Sequence, residues 1–144
     1  MTYARSLGAT VGISALLSLG TSAFAQDGDA AAGEEVFRKC RACHQVGPTA
    51  KSTVGPAQNG VVGRAAGTYE GFNYSALNKA AGEAGLIWTE ANIFAYLEEP
   101  NTFLKKFLTD KGKADLAVGA TKMVFKLADE TDRKNVIAYL KTQK

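Results

Sequence analysis

One histidine, two cysteines, one tryptophan and three prolines are all that this chain has of those residues. A single histidine removes any site built from paired imidazoles. Two cysteines with no second pair leave a tetrahedral zinc site short of ligands, since such a site needs four. There is no strand-like alternation around the cysteines, so a redox dithiol opening the helix of a βαβ unit has no context here. No internal repeat is visible. No basic stripe interleaved with aromatics marks a nucleic-acid interface, and the net charge is only +3. The one apolar run, over residues 7–19, is short and glycine-rich for a membrane span.

That run reads as the core of an export signal. Arg5 supplies the positive start, and Ala23-Phe24-Ala25 is a small-x-small cleavage site before Gln26. The expected layout is a cleaved leader over 1–25 and one domain over 26–144, with an uncleaved anchor as the alternative. Export also predicts a periplasmic location. A domain of this length folds around one core.

The two cysteines and the histidine fall together, in Cys40-Arg41-Ala42-Cys43-His44. C-x-x-C-H is the spacing for covalent attachment of a c-type haem. Two thiols on one turn can each add to a porphyrin vinyl group, and the histidine beside them can offer a ring nitrogen to the iron. With both cysteines committed, no structural disulfide remains, and the macrocycle must supply much of the core.

The rest of the chain is helical in pattern, with long loops and four or five helices in an all-α fold. Asp29 is placed to cap a first helix that carries Gly33, Val36 and Phe37 up to the haem motif. Gly33 inside it costs about 1 kcal/mol against alanine and implies the close approach of another helix. Residues 46–63, rich in glycine and proline, read as loop. Helices are predicted over 74–84, from the Thr89 cap to a stop at Pro100, over 102–109, and after the Asp129 cap with Val136, Ile137, Tyr139 and Leu140.

A six-coordinate iron needs a second strong axial ligand. There is no second histidine, both cysteines are used, and Met1 belongs to the leader. Met123, in the loop-like Ala120-Thr121-Lys122-Met123, is the remaining methionine. Thioether ligation raises the reduction potential and fills the position where oxygen or peroxide would bind. The two competing readings are a five-coordinate haem enzyme such as a peroxidase and a gas-binding haem protein. Both need an iron without Met123, and the first usually needs a distal base.

With these residues in place, the mature chain resembles the class I cytochromes c, of the cytochrome c2 and c550 group. The resemblance rests on Gly28-Asp29, Gly33, Phe37 and Cys40 to His44, on Val54-Gly55-Pro56, and on Gly63-Arg64 with Phe72-Asn73-Tyr74-Ser75. It implies a small monohaem fold whose first and last helices cross at Gly33, facing Val136 and Tyr139. It implies that the Pro56 carbonyl accepts the ring proton of His44, and that Arg64, Tyr74 and Trp88 serve the haem propionates. Asn78, Tyr96 and Thr121 match polar groups near the iron and its methionine.

The implied function is a monomeric one-electron carrier. Electrons would come from a cytochrome bc1 complex and go to a photosynthetic reaction centre or a terminal oxidase. Lysines around the ligands (Lys39, Lys105, Lys106, Lys111, Lys113, Lys122 and Lys126) form a positive face, with Lys39, Lys105, Lys106 and Lys122 named for docking. The chain departs from the family at Gln58, where a leucine usually packs on the haem. Its stretch between Pro100 and Met123 is also longer than in mitochondrial cytochrome c, as in many bacterial c2 proteins.

Overall fold

The computed structural model describes residues 28–144; the expected leader and its cleavage point lie outside the described residues. Five helices follow one another: α1 (Ala30–Phe37), α2 (Ala76–Glu83), α3 (Glu90–Glu98), α4 (Pro100–Asp110) and α5 (Glu130–Thr142), with one short 3-10 turn at Ala114–Leu116. The all-α expectation holds among the described residues. The nearest thing to a strand is a single antiparallel bridge between Ala65 and Ile87.

Local chemistry sets the helix starts. Asp29 accepts from the backbone N–H groups of Ala31 and Ala32 at 2.8 and 3.2 Å. Thr89 and Asp129 cap α3 and α5 in the same way. The helix predicted over 74–84 begins later, at Ala76, because Ser75 is extended and its hydroxyl takes the N–H of Asn78 at 3.2 Å. The helix predicted from residue 102 begins earlier. Pro100 ends α3 and also opens α4, since a proline in the first turn forfeits no hydrogen bond.

α1 and α5 cross with their backbones nearly touching. A Cβ on Gly33 would lie 2.0 Å from the carbonyl oxygen of Asn135 and 2.9 Å from Cβ of Tyr139. The Asp29 N–H donates to Asn135 Oδ1 at 2.9 Å, and the rings of Phe37 and Tyr139 pack 5.5 Å apart. The close approach inferred for Gly33 therefore has a specific partner. Gly33→Val is expected to push the helices apart and cost about 3 kcal/mol, the upper part of the usual range for overpacking. A urea melt of the holoprotein reads this directly.

Arg133 secures the other side of α5. It is 4% exposed, and its Nη1 donates to the carbonyls of Leu127 and Ala128 at 2.9 and 2.8 Å. Its guanidinium lies 4.3 Å from the ring centre of Phe94 on α3. These contacts fix the end of the irregular segment that carries Met123. At the other end of the fold the chain terminus is tied in. Asn59 donates to the carbonyls of Lys144 and Gly47 at 2.9 and 3.1 Å, and Gly60 donates to the carbonyl of Gln143 at 2.8 Å.

Candidate functional site

α1 runs directly into the haem motif. After Phe37 the chain tightens into turns, and the Cys40 carbonyl accepts from the N–H groups of both Cys43 and His44, at 3.0 and 2.9 Å. That turn brings the two thiols and the imidazole to one wall of a cavity of about 300 Å³. Both thiols are free of any disulfide and half-buried. Burial pushes the Cys40 thiol up to about 11. A thiol so reluctant to ionise is a poor nucleophile.

All eleven candidate residues line this one cavity: Cys40, Cys43, His44, Pro56, Arg64, Tyr74, Asn78, Trp88, Tyr96, Thr121 and Met123. Phe37, Ile93, Leu97, Val136 and Leu140 add its apolar wall. Of the four lysines expected at a docking face, Lys39 and Lys122 reach the cavity, whereas Lys105 and Lys106 stand apart on α4. Lys106 pairs with Asp110 and Lys39 with Asp132, each at 2.8 Å.

His44 is half-buried, and Nδ1 lies 2.7 Å from the Pro56 carbonyl oxygen. Burial lowers its pKa from the ordinary histidine value, partly opposed by that carbonyl and aided by the charge of Arg64. The ring is thus held neutral, with Nδ1–H donating to Pro56 and the lone pair of Nε2 left for a metal. Gly55 sits against the ring: a Cβ there would come within 2.3 Å of Cε1. Gln58 also reaches Nδ1, at 2.8 Å.

Elsewhere in the cavity lining, a hydrogen-bonded cluster supports Met123. The Thr121 hydroxyl oxygen accepts from Asn78 Nδ2 at 3.1 Å and from the Met123 N–H at 3.3 Å. With both lone pairs used, its own proton goes to the Tyr96 hydroxyl, 3.2 Å away. The Thr121 N–H donates to Asn101 Oδ1 at 2.8 Å, and the Lys122 ammonium donates to the Asn73 carbonyl. Met123 therefore hangs on a segment pinned at both ends without regular secondary structure. Burial raises the pKa of the Tyr96 phenol, so it stays a neutral O–H.

A third wall is polar. Arg64 donates to the carbonyls of Asn59 and Ala57 at 3.1 and 3.4 Å, yet its Nε is buried without a partner. The Arg64 backbone is tied to Trp88, whose N–H donates to the Arg64 carbonyl at 2.8 Å. The Trp88 ring packs against Tyr96 at a tilt of 59°, with centroids 4.8 Å apart. Asn78 Oδ1 is likewise buried and unpartnered. Orphaned polar atoms of this kind carry a cost unless something else in the cavity meets them.

These observations match a haem c. Two thiols, a neutral imidazole and a thioether line one mostly apolar space, and Arg64, with its Nε unpartnered, adds a cation to the same lining. Spacing alone signals neither Asn101 nor Gly55 as a supporting residue. Asn101 lies twenty positions from the threonine it serves, and Gly55 is marked only by the proline that follows it.

No family model matches the chain. Individual relatives do. Cytochrome c2 iso-2 of Rhodospirillum centenum is 66% identical over 116 residues, covering 81% of this chain and 96% of the relative. A cytochrome c2 of Rhodopseudomonas palustris is 60% identical over 139 residues, covering 96% of this chain and 94% of its own length. The solved structure of cytochrome c2 from Rhodospirillum centenum superposes with a TM-score of 0.80 at 66% identity, over 81% of this chain and 98% of that one. The chain therefore belongs to the cytochrome c2 family, class I c-type cytochromes that carry electrons on one haem c, here joined through Cys40 and Cys43.

Proposed function

We propose that this cytochrome is a periplasmic one-electron shuttle whose iron is held by His44 and Met123. The carrying observation is that the one histidine of the chain and the one methionine after the leader both face a single apolar cavity. When bound, the haem supplies an iron that changes oxidation state by one electron. The protein's own residues set the conditions for that change. Pro56 keeps the ring proton of His44 on Nδ1, which leaves Nε2 as donor. Thr121 holds the backbone of Met123, with Asn78 and Tyr96 fixing the threonine. Arg64, Tyr74 and Trp88 receive the propionates, which would otherwise be costly to bury. The apolar walls exclude water, so little has to reorganise when the charge changes.

Residues 1–25 serve as a cleaved leader in this reading. The donor is a bc1-type complex, and the acceptor is a photosynthetic reaction centre or a terminal oxidase. Docking occurs at the cavity mouth, where Lys122 and Lys39 stand near the exposed Val54 and Val124, 66% and 85% accessible. Lys105 and Lys106 extend the positive field along α4. Attraction of this type speeds encounter and weakens with salt. Among the described residues, no helix is long and apolar enough to cross a membrane.

The test is the absorption spectrum of the purified holoprotein, oxidised and reduced, with and without carbon monoxide. A low-spin iron with the weak red sulfur-to-ferric-iron band, unresponsive to carbon monoxide, is the expected outcome. A high-spin iron that takes up carbon monoxide readily would overturn the proposal and move the chain to the enzyme or gas-binding reading.

A further inference from the structure

Gln58 stands two residues beyond Pro56, at the foot of the His44 ring. Its amide nitrogen lies 3.0 Å from the Pro56 carbonyl oxygen and 2.8 Å from His44 Nδ1. His44 Nδ1 is itself 2.7 Å from that same oxygen. Three polar atoms thus form a closed triangle beside the ring that faces the cavity. The Gln58 backbone is fixed as well, its N–H donating to the Gln45 carbonyl at 2.9 Å.

Proton bookkeeping within the triangle leaves one arrangement. A ring that gives Nε2 to iron carries its proton on Nδ1, and that proton goes to Pro56. Nδ1 then has no lone pair for Gln58, so the amide N–H also donates to the Pro56 carbonyl. One oxygen serves two donors. Each donor draws on the same electron density, so a second donor weakens the first bond.

We propose that Gln58 is a positioning residue for His44: by sharing the Pro56 carbonyl it loosens the Nδ1–H hydrogen bond and raises the reduction potential. This rests on His44 being an iron ligand. A ligand histidine whose N–H is strongly bonded is more basic and favours the higher oxidation state. Gln58 reduces that push. A merely polar side chain near the iron would act with the opposite sign, since it would favour the more highly charged ferric form.

The sign of the change therefore decides. Gln58→Leu and Gln58→Met remove the donor with two different apolar shapes, so that if one fails to fold the other still reports. Holoprotein of each is measured for midpoint potential and, by NMR in the reduced state, for the chemical shift and exchange rate of the His44 ring N–H. The expected result is a downfield, more slowly exchanging N–H. The equilibrium constant for oxidation should rise by up to about tenfold, a fall in potential of up to about 59 mV for one electron. A rise in potential with an unmoved N–H would show a polar wall and overturn the proposal. So would an upfield N–H, which would mean that the amide oxygen faces the ring, and so would no change in either reading. The sulfur–iron band of the wild type, recorded alongside, separates these outcomes from failure of the ligand assignment itself.

Discussion

Met123→Ala is expected to lower the reduction potential of the holoprotein by roughly 0.2 V, a quarter of the ~0.8 V that axial ligands span. At about 59 mV per tenfold, that is more than three decades in the oxidation equilibrium. The reason is electronic: a thioether stabilises ferrous iron, and water or an empty position does not. The mutation should also abolish the red sulfur-to-iron band and open the iron to carbon monoxide. Removing the side chain leaves a cavity worth about 2–5 kcal/mol, so stability must be measured in the same samples. The segment itself should stay in place, because Thr121, Asn101, Lys122 and Arg133 pin it independently of the sulfur. An unchanged potential and an unchanged band would remove Met123 from the iron.

Gly55→Ala is expected to be as damaging from the His44 side. The added carbon would meet Cε1, Nδ1 and Nε2 of His44 at 2.3, 2.7 and 2.8 Å. Neither side can yield easily. The Gly55 N–H donates to the Cys43 carbonyl at 2.9 Å, and its own carbonyl accepts from Thr53 at the same distance. The imidazole is flanked by Pro56 and Gln58. We expect a loss of about 3 kcal/mol or more in a denaturant melt, from overpacking alone. A spectrum shifted towards high spin should accompany it as the ring is driven off axis. If Gly55→Ala melts and absorbs like the wild type, the ring does not sit where the structure puts it.

The motif and the capping residues were legible from local chemistry, since each is decided within a few residues of itself; Gly33 showed only as a costly residue inside a helix, its partner Asn135 lying far along the chain. Asp29, Thr89 and Asp129 cap because short oxygen-bearing side chains meet the first free N–H groups of a helix. Pro100 was read as a stop, but the same missing N–H also suits a helix start, and packing of Leu104 and Leu108 decides for α4. Of what supports Met123, Thr121, Asn78 and Tyr96 follow from the family resemblance, whereas Asn101 and Arg133 do not show in the sequence. Asn101 reaches a backbone N–H twenty residues on, Arg133 reaches carbonyls five and six residues back, and any residue possesses such groups. Gln58 was visible as a departure from a usual leucine, yet its bond to a backbone oxygen beside His44 depends on a loop path that no periodicity encodes.

The ties from Asn59 and Gly60 to Lys144 and Gln143, like the α1–α5 crossing, join stretches far apart in sequence. α1 emerges first but finds its partner only in α5, and Gly60 and Asn59 wait for Gln143 and Lys144. Until α5 has formed, the stretch bearing Cys40 and Cys43 has nothing to close against. The Cys40 thiol then stays in open chain, in water, where burial does not hold back its ionisation as it does in the finished wall. The order of the chain therefore leaves Cys40 and Cys43 reachable until α5 packs against α1, and that crossing shuts the wall behind them.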